Sequence, residues 1–158
     1  MTKGEAIDAI VAECHKQGVT FRDQIAYVLA TAHHETGGTL QPVREGYYLK
    51  NPFKYLRTLR YGPWYGRGLV QLTWKANYAK YERILNLPLV SNPDLVLHFD
   101  ISAFILVHGM RTGAFTGKKL SDYITLHFTD FYHARRIVNG LDKADRVADL
   151  AEDYRARL

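Results

Sequence analysis

TFRDQIAYVLATAHHETGG, residues 20–38, is the stretch on which the fold turns. Ile25, Val28, Leu29 and Ala32 recur at i, i+3, i+4 and i+7, the spacing that lines four apolar side chains along one face of a helix. Thr20 is expected to cap its start, and Gly37-Gly38, which tolerate positive φ, to stop it. Glu35 then falls in the last turn, beside the buried stripe. Burial disfavours the charged form of a carboxyl, as does the negative end of the helix dipole, so both would keep a proton on Glu35 and suit it to general acid work. Read alone, a Glu in the last turn of a helix is an ordinary solvated residue, so its surroundings must decide.

Helices are expected on both sides of this one. Thr2 and Glu5 have the spacing of a capping box ahead of Ile7, Ile10, Val11 and Cys14, a first amphipathic helix ending near Gly18. Residues 40–49 allow a small hairpin, and Asn51-Pro52 opens a short helix. Tyr65 to Leu72 reads as a glycine-rich loop, after which Thr73 can cap a helix carrying Trp74, Asn77, Tyr78, Tyr81 and Ile84. Asp100 can cap another, whose body from Ile101 to Val107 is apolar nearly all round and therefore expected at the centre of the core. Further helices are expected near 120–123 and 131–138, with a last one after Asp142. The class is mainly α, with at most one small β-hairpin, and no repeat or linker divides the 158 residues into more than one domain.

A hydrophobic fraction of 47% and a charged fraction of 23% describe a chain that folds around its own core. Cys14 is the single cysteine, which excludes an internal disulfide and a zinc-thiolate cluster. His33 and His34 are adjacent on a helix, diverge by about 100° and so do not share an ion, and there is no H-E-x-x-H, so no metal is expected. Met1 to Glu5 lack an apolar signal core and no stretch approaches the ~20 apolar residues of a membrane span, so stable membrane insertion is not expected. Lys and Arg outnumber Asp and Glu by 21 to 16. The excess favours an anionic partner, or is simply a solvated surface, because the cations read as dispersed. No helix gathers base-reading side chains on one face, and nucleic acid is not expected.

Glu45, in Pro42-Val43-Arg44-Glu45-Gly46, lies on a loop that returns past the end of the Glu35 helix. It offers a second carboxylate across a groove, or else an ion pair with Arg44 or a nearby Lys. Two carboxylates about 6.5–9.5 Å apart in a glycosidase leave room for a water that attacks the sugar from the face opposite the leaving group. Gln71, Thr73 and Asn77 come from one loop and helix start and could line that groove, although each could also be a cap or a surface residue. Tyr47, Tyr48, Tyr61, Trp64, Tyr65 and Trp74 supply flat faces of the kind pyranose rings pack against, a minority of which is expected to touch sugar.

Several ordered blocks of the chain resemble glycoside hydrolase family 19: His34-Glu35-Thr36-Gly37-Gly38, then Tyr65 to Trp74 (YGRGLVQLTW) with Asn77-Tyr78, then Asn92-Pro93-Asp94-Leu95-Val96 and Ile137-Val138-Asn139-Gly140. The likeness runs from about residue 20 to the C-terminus. It implies a lysozyme-like helical fold and inverting hydrolysis of β-1,4-linked polymers containing N-acetylglucosamine, with Glu35 as the acid. By the same matching Gln71, Thr73 and Asn77 would bind sugar or position water, His34 and Asn139 would touch substrate, and Arg146 would support the site. Tyr65 and Arg67 would be groove residues. The chain departs from the plant chitinases of that family: the loop bearing Glu45 is much shorter, the disulfide cysteines are absent, and there is no chitin-binding module.

The compact form resembles the endolysins of bacteriophages. The expectation is therefore a monomeric, cofactor-free catalytic domain with no separate cell-wall-binding domain. It would cleave peptidoglycan glycan strands between N-acetylmuramic acid and N-acetylglucosamine, be held in the host cytoplasm until a holin releases it to the periplasm and wall, and so lyse the host. A chitinase, a lytic transglycosylase that would dispense with Glu45, and a non-catalytic wall-binding protein are the alternatives.

Overall fold

A computed structural model describes residues 1–158. Seven α-helices carry the chain: α1 (Lys3–Lys16), α2 (Arg22–Glu35), α3 (Pro52–Leu56), α4 (Lys75–Leu85), α5 (Phe99–Thr112), α6 (Leu120–Tyr123) and α7 (Ala144–Arg157), with 3-10 turns at Pro93–Leu97 and His133–Ile137. The one sheet pairs β1 (Val43–Arg44) with β2 (Arg67–Gly68), antiparallel, Val43 opposite Gly68 and Arg44 opposite Arg67. The architecture is mainly α, as the sequence indicates. The strand pairing is not local: β1 pairs not within residues 40–49 but with a strand more than twenty residues on, closing the intervening segment into a lobe.

The core is organised around α2. Every residue from Ile25 to Ala32 is buried, so this helix is enclosed on all sides rather than on one stripe, the condition for a helix at the centre of a core. Its most extensive packing is against α7, whose Val147, Ala151 and Tyr154 are buried. The central position expected for residues 101–107 thus belongs to α2, because Ile101 and Phe104 of α5 remain partly exposed at the edge of the core.

Three helix starts differ from the sequence expectation. Thr2 does cap α1, accepting from the Glu5 amide at 3.1 Å. Phe21, not Thr20, occupies the cap of α2 and makes no side-chain bond there. His98, not Asp100, occupies that of α5. At α4 the cap is Trp74, and Thr73 Oγ1 instead donates to the Gln71 carbonyl at 2.9 Å. The missing side-chain caps cost each helix on the order of 1 kcal/mol, which burial of a central helix readily outweighs.

The loop between β2 and α4 is fixed from below. Gly68 has φ +92°, and a Cβ there would lie 2.5 Å from Ser102 Oγ, which itself accepts from the Leu69 amide at 2.7 Å. The alanine variant at Gly68 must therefore both adopt a left-handed backbone and displace a hydrogen-bonded hydroxyl. We expect Gly68→Ala to lose at least about 2 kcal/mol of stability. Gly140→Ala, with nothing within 4 Å of the added carbon and no positive φ, should melt as the wild type does. Thermal melts of the two variants side by side check this, and equal melting temperatures would refute it.

Candidate active site

Glu35 is the last residue of α2. Its carboxyl opens on a cleft of about 420 Å³ whose lining includes Gln71, Thr73, Trp74, Asn77 and Asn139, with Val70, Leu72, Phe115 and Val138 as apolar walls. The side chain of Glu35 is only 18% exposed. Burial raises its pKa above the ordinary carboxylate range, and this outweighs the opposing pull of the Arg135 guanidinium. Arg135 Nη1 lies 3.4 Å from Glu35 Oε1. The arginine is itself buried, its Nε donating to the Asp142 carbonyl at 2.9 Å. In the sequence Arg135 reads only as one of the dispersed cations, and the resemblance puts Arg146 in the supporting role. No motif singles out position 135, since a hundred residues separate it from Glu35 and only the packing of the second 3-10 turn brings them together.

The second carboxylate, Glu45, directly follows β1. Its backbone amide donates to the Gly66 carbonyl at 2.7 Å, extending the two-stranded pairing. Its side chain forms no ion pair with Arg44, which instead takes Asp94 in a two-pronged bond of 2.7 and 3.0 Å. Glu45 Oε1 accepts from the Gly66 amide at 3.0 Å, and Oε2 from the Tyr55 and Tyr61 hydroxyls at 3.0 and 2.5 Å. Three donors thus fix its orientation; of the two tyrosines, Tyr55 carries no signal in the sequence, and Tyr61, expected as a flat face for sugar, instead holds the carboxylate. Glu45 is not among the residues lining the cleft of Glu35, but it adjoins that lining through Gly66.

Gly66 is where the parts meet. A Cβ built on it would lie 2.8 Å from Gln71 Oε1, 3.2 Å from Glu45 Oε1 and 3.3 Å from Thr73 Oγ1, so three oxygens converge above one glycine. Gln71 is held by its amide nitrogen, which donates to the carbonyls of Val43 and Gly68 at 2.9 and 3.1 Å, leaving Oε1 to face this point. Thr73 Oγ1 spends its proton on the Gln71 carbonyl and so presents lone pairs. Asn77 Nδ2 donates to the Thr73 carbonyl at 2.8 Å. Gln71 and Trp74, both non-glycine, have φ of +58° and +76°, conformations that cost about 1–3 kcal/mol each and concentrate at functional sites.

Tyr65 and Arg67, expected in the groove, are both off the lining of the Glu35 cleft: Arg67 is turned into the scaffold, and Tyr65 lines a separate groove with Phe53 and Arg57. Arg67 is 3% exposed. It lies 3.7 Å above the Tyr65 ring, donates to Pro63 and Tyr65 carbonyls and the Tyr78 hydroxyl, and pairs with Asp94 at 2.9 Å. A guanidinium desolvated this far needs protein partners, and the Nε and Nη1 donors are taken up by them. His34 is half-buried with Nδ1 unpartnered, and its pKa is lowered by burial first and then by Arg135 and Arg146. It stands behind Glu35, off the cleft lining. Arg146 is exposed beside Asp145 and Asp149, also off that lining, while Asn139 is on it. No group of three or more His, Cys, Asp or Glu side chains is arranged to hold a metal ion.

No protein-family model matches the chain. Among curated proteins it is similar to an endochitinase of Arabidopsis thaliana, 33% identical over 90 residues, which are 56% of this chain and 31% of that one. It is also similar to Chitinase 8 of Oryza sativa subsp. japonica, 38% identical over 78 residues, 48% and 29% of the two chains. The matched stretches thus cover less than a third of these relatives. Chitinase C from Streptomyces griseus superposes with a TM-score of 0.61 at 24% identity, over 84% of this chain and 58% of that one. The fold is accordingly the lysozyme-like helical fold of such chitinases, and the chain is chitinase-like in sequence.

The Glu35 environment sets a sign for stability. A carboxyl whose folded pKa lies above its unfolded value stabilises fully below the unfolded pKa, and that contribution is lost as pH rises through the folded one. Glu35→Gln, which cannot ionise, should match the wild type in acid and become the more stable protein toward neutral pH. Paired urea titrations from pH 4 to 7 measure this. A wild-type advantage that grows with pH would show that Arg135, not burial, dominates.

Proposed function

We propose that the chain is a glycoside hydrolase of the family 19 type, cutting β-1,4 bonds in N-acetylglucosamine-containing glycan by inversion, and that its substrate is peptidoglycan. The observation that carries this reading is the pairing of a protonation-favouring Glu35 on the cleft with three oxygens, from Glu45, Gln71 and Thr73, converging above Gly66. Glu35 gives its proton to the glycosidic oxygen as the bond to the anomeric carbon breaks. A water gathered by Glu45, Gln71 and Thr73 attacks that carbon from the opposite face and passes a proton to Glu45. Arg135 beside Glu35 stabilises the carboxylate left after transfer, since its positive charge favours the ionised form.

We extend this reading to an endolysin role, in which a holin releases the protein from the host cytoplasm to degrade the wall; the resemblance of the compact loop bearing Glu45 to phage endolysins supports it. Chitin is the second reading, favoured by the chitinases to which the chain is similar. Digestion of purified sacculi and of chitin, with mass and anomer analysis, decides between them. Reducing N-acetylmuramic acid ends of inverted anomeric configuration support the first, products from chitin alone the second, and 1,6-anhydro ends would mean a transglycosylase.

Two variants test the division of labour. Glu35→Gln should remain folded and lose hydrolysis by at least about 100-fold, the scale on which a positioned acid contributes. Gly66→Ala, whose methyl would press on Gln71 Oε1 and Glu45 Oε1, should cut kcat by a similar factor while KM changes little. Normal lysis by either protein would remove the corresponding residue from the mechanism.

A further inference from the structure

The lobe enclosed by β1 and β2 has a composition unlike the rest of the surface. Residues 47–62 hold Lys50, Lys54, Arg57 and Arg60 and not one Asp or Glu, so most of the net +5 lies here rather than being dispersed as the sequence suggested. All four side chains are exposed, and none takes part in an ion pair. The same lobe exposes Tyr47, Tyr48, Leu49, Phe53 and Tyr55, with Phe53 59% and Tyr48 77% accessible. A groove of about 570 Å³ runs across it between Phe53, Arg57 and Pro63.

The lobe is joined to the active site rather than merely near it. Tyr55 and Tyr61 reach Glu45 from it, and the Tyr61 ring meets Trp74 of the cleft edge-on at 5.0 Å. The Arg60 guanidinium lies 5.6 Å from the Trp74 ring centre, and the Tyr47 hydroxyl packs on Gly37, two residues beyond Glu35. Unpaired cations interleaved with exposed rings, continuous with a sugar cleft, match a polymer that carries both pyranose faces and carboxylates.

We propose that this lobe is a specificity-determining surface that selects a carboxylate-bearing glycan over a neutral one, a proposal that rests on the glycosidase reading above. Lys50, Lys54 and Arg57 take the peptide-stem carboxylates of a peptidoglycan strand, or the lactyl carboxylate where a muramic acid carries no stem, while the exposed rings carry its sugars toward the cleft. A neutral N-acetylglucosamine polymer has no charge for them to meet. Recognition is therefore electrostatic on one side of the cleft and strengthened at low ionic strength.

The test is the triple variant Lys50→Gln, Lys54→Gln, Arg57→Gln, first shown to melt as the wild type does. On peptidoglycan at low salt its KM should rise about three- to tenfold with kcat kept, the range expected from three exposed charge contacts, and its salt dependence should flatten. On uncharged chito-oligosaccharides both constants should match the wild type. The same substitutions placed on Glu35→Gln should weaken co-sedimentation with sacculi and leave co-sedimentation with chitin unchanged. An unaltered KM for peptidoglycan, or an equal rise on both substrates, overturns the proposal. So does loss of binding to phosphatidylglycerol vesicles with sacculus binding intact, which would assign the surface to a membrane. A wild type inactive on both polymers would instead sink the glycosidase reading, a result that the sedimentation measurements distinguish from failure of the lobe.

Discussion

The complete enclosure of α2 is the constraint on which the rest of the molecule depends. Eight consecutive residues, Ile25 to Ala32, are removed from water, so the helix can be neither shifted nor rotated without exposing apolar surface worth about 25 cal/mol per Å². Because it is fixed, its last residue is fixed too, and the carboxyl of Glu35 is delivered to the border between core and cleft. The site needs no special device to raise that pKa, since the packing that holds the helix also dries the acid. Arg135 tempers the effect and comes from the same core.

The facing side of the cleft is built by a different principle. The loop from Tyr65 to Trp74 buries Leu69, Val70 and Leu72 in the core, and an ionic node also secures it. Arg67 is pinned by Asp94, which also takes Arg44 across the two-stranded sheet, and these contacts hold the Asp94 carboxyl below its usual pKa, the Arg44 bond contributing most. With its base clamped, the loop can hold Gln71 and Trp74 at positive φ and leave Gln71 Oε1 and Thr73 Oγ1 facing the point above Gly66. The cleft thus joins a wall fixed by apolar burial alone to one fixed by apolar burial and an ionic node, and the Glu35 carboxyl on the first shares the cleft with Gln71 and Thr73 of the second.

The enclosed segment between the strands serves the site in two ways. It supplies two tyrosines that orient Glu45, and it carries most of the surplus positive charge. A single loop therefore links the orientation of one carboxylate to an exposed basic and aromatic surface.

From its residues alone the chain determined the mainly helical class, the position of Glu35 at the end of a buried helix and the loop of Gln71 and Thr73, because apolar periodicity and glycine stops are local properties that burial reinforces. The helix starts at Thr20, Thr73 and Asp100 were misread, since a local cap contributes about 1 kcal/mol and packing decided the boundaries. Only the tertiary structure decided that Glu35 meets Arg135 and that Glu45 is held by Gly66, Tyr55 and Tyr61. It alone also showed that Arg67 serves the scaffold rather than the groove. Those contacts join residues ten to a hundred positions apart, and whether a charged side chain faces solvent or a buried partner depends on which elements pack around it, which no spacing along the chain encodes.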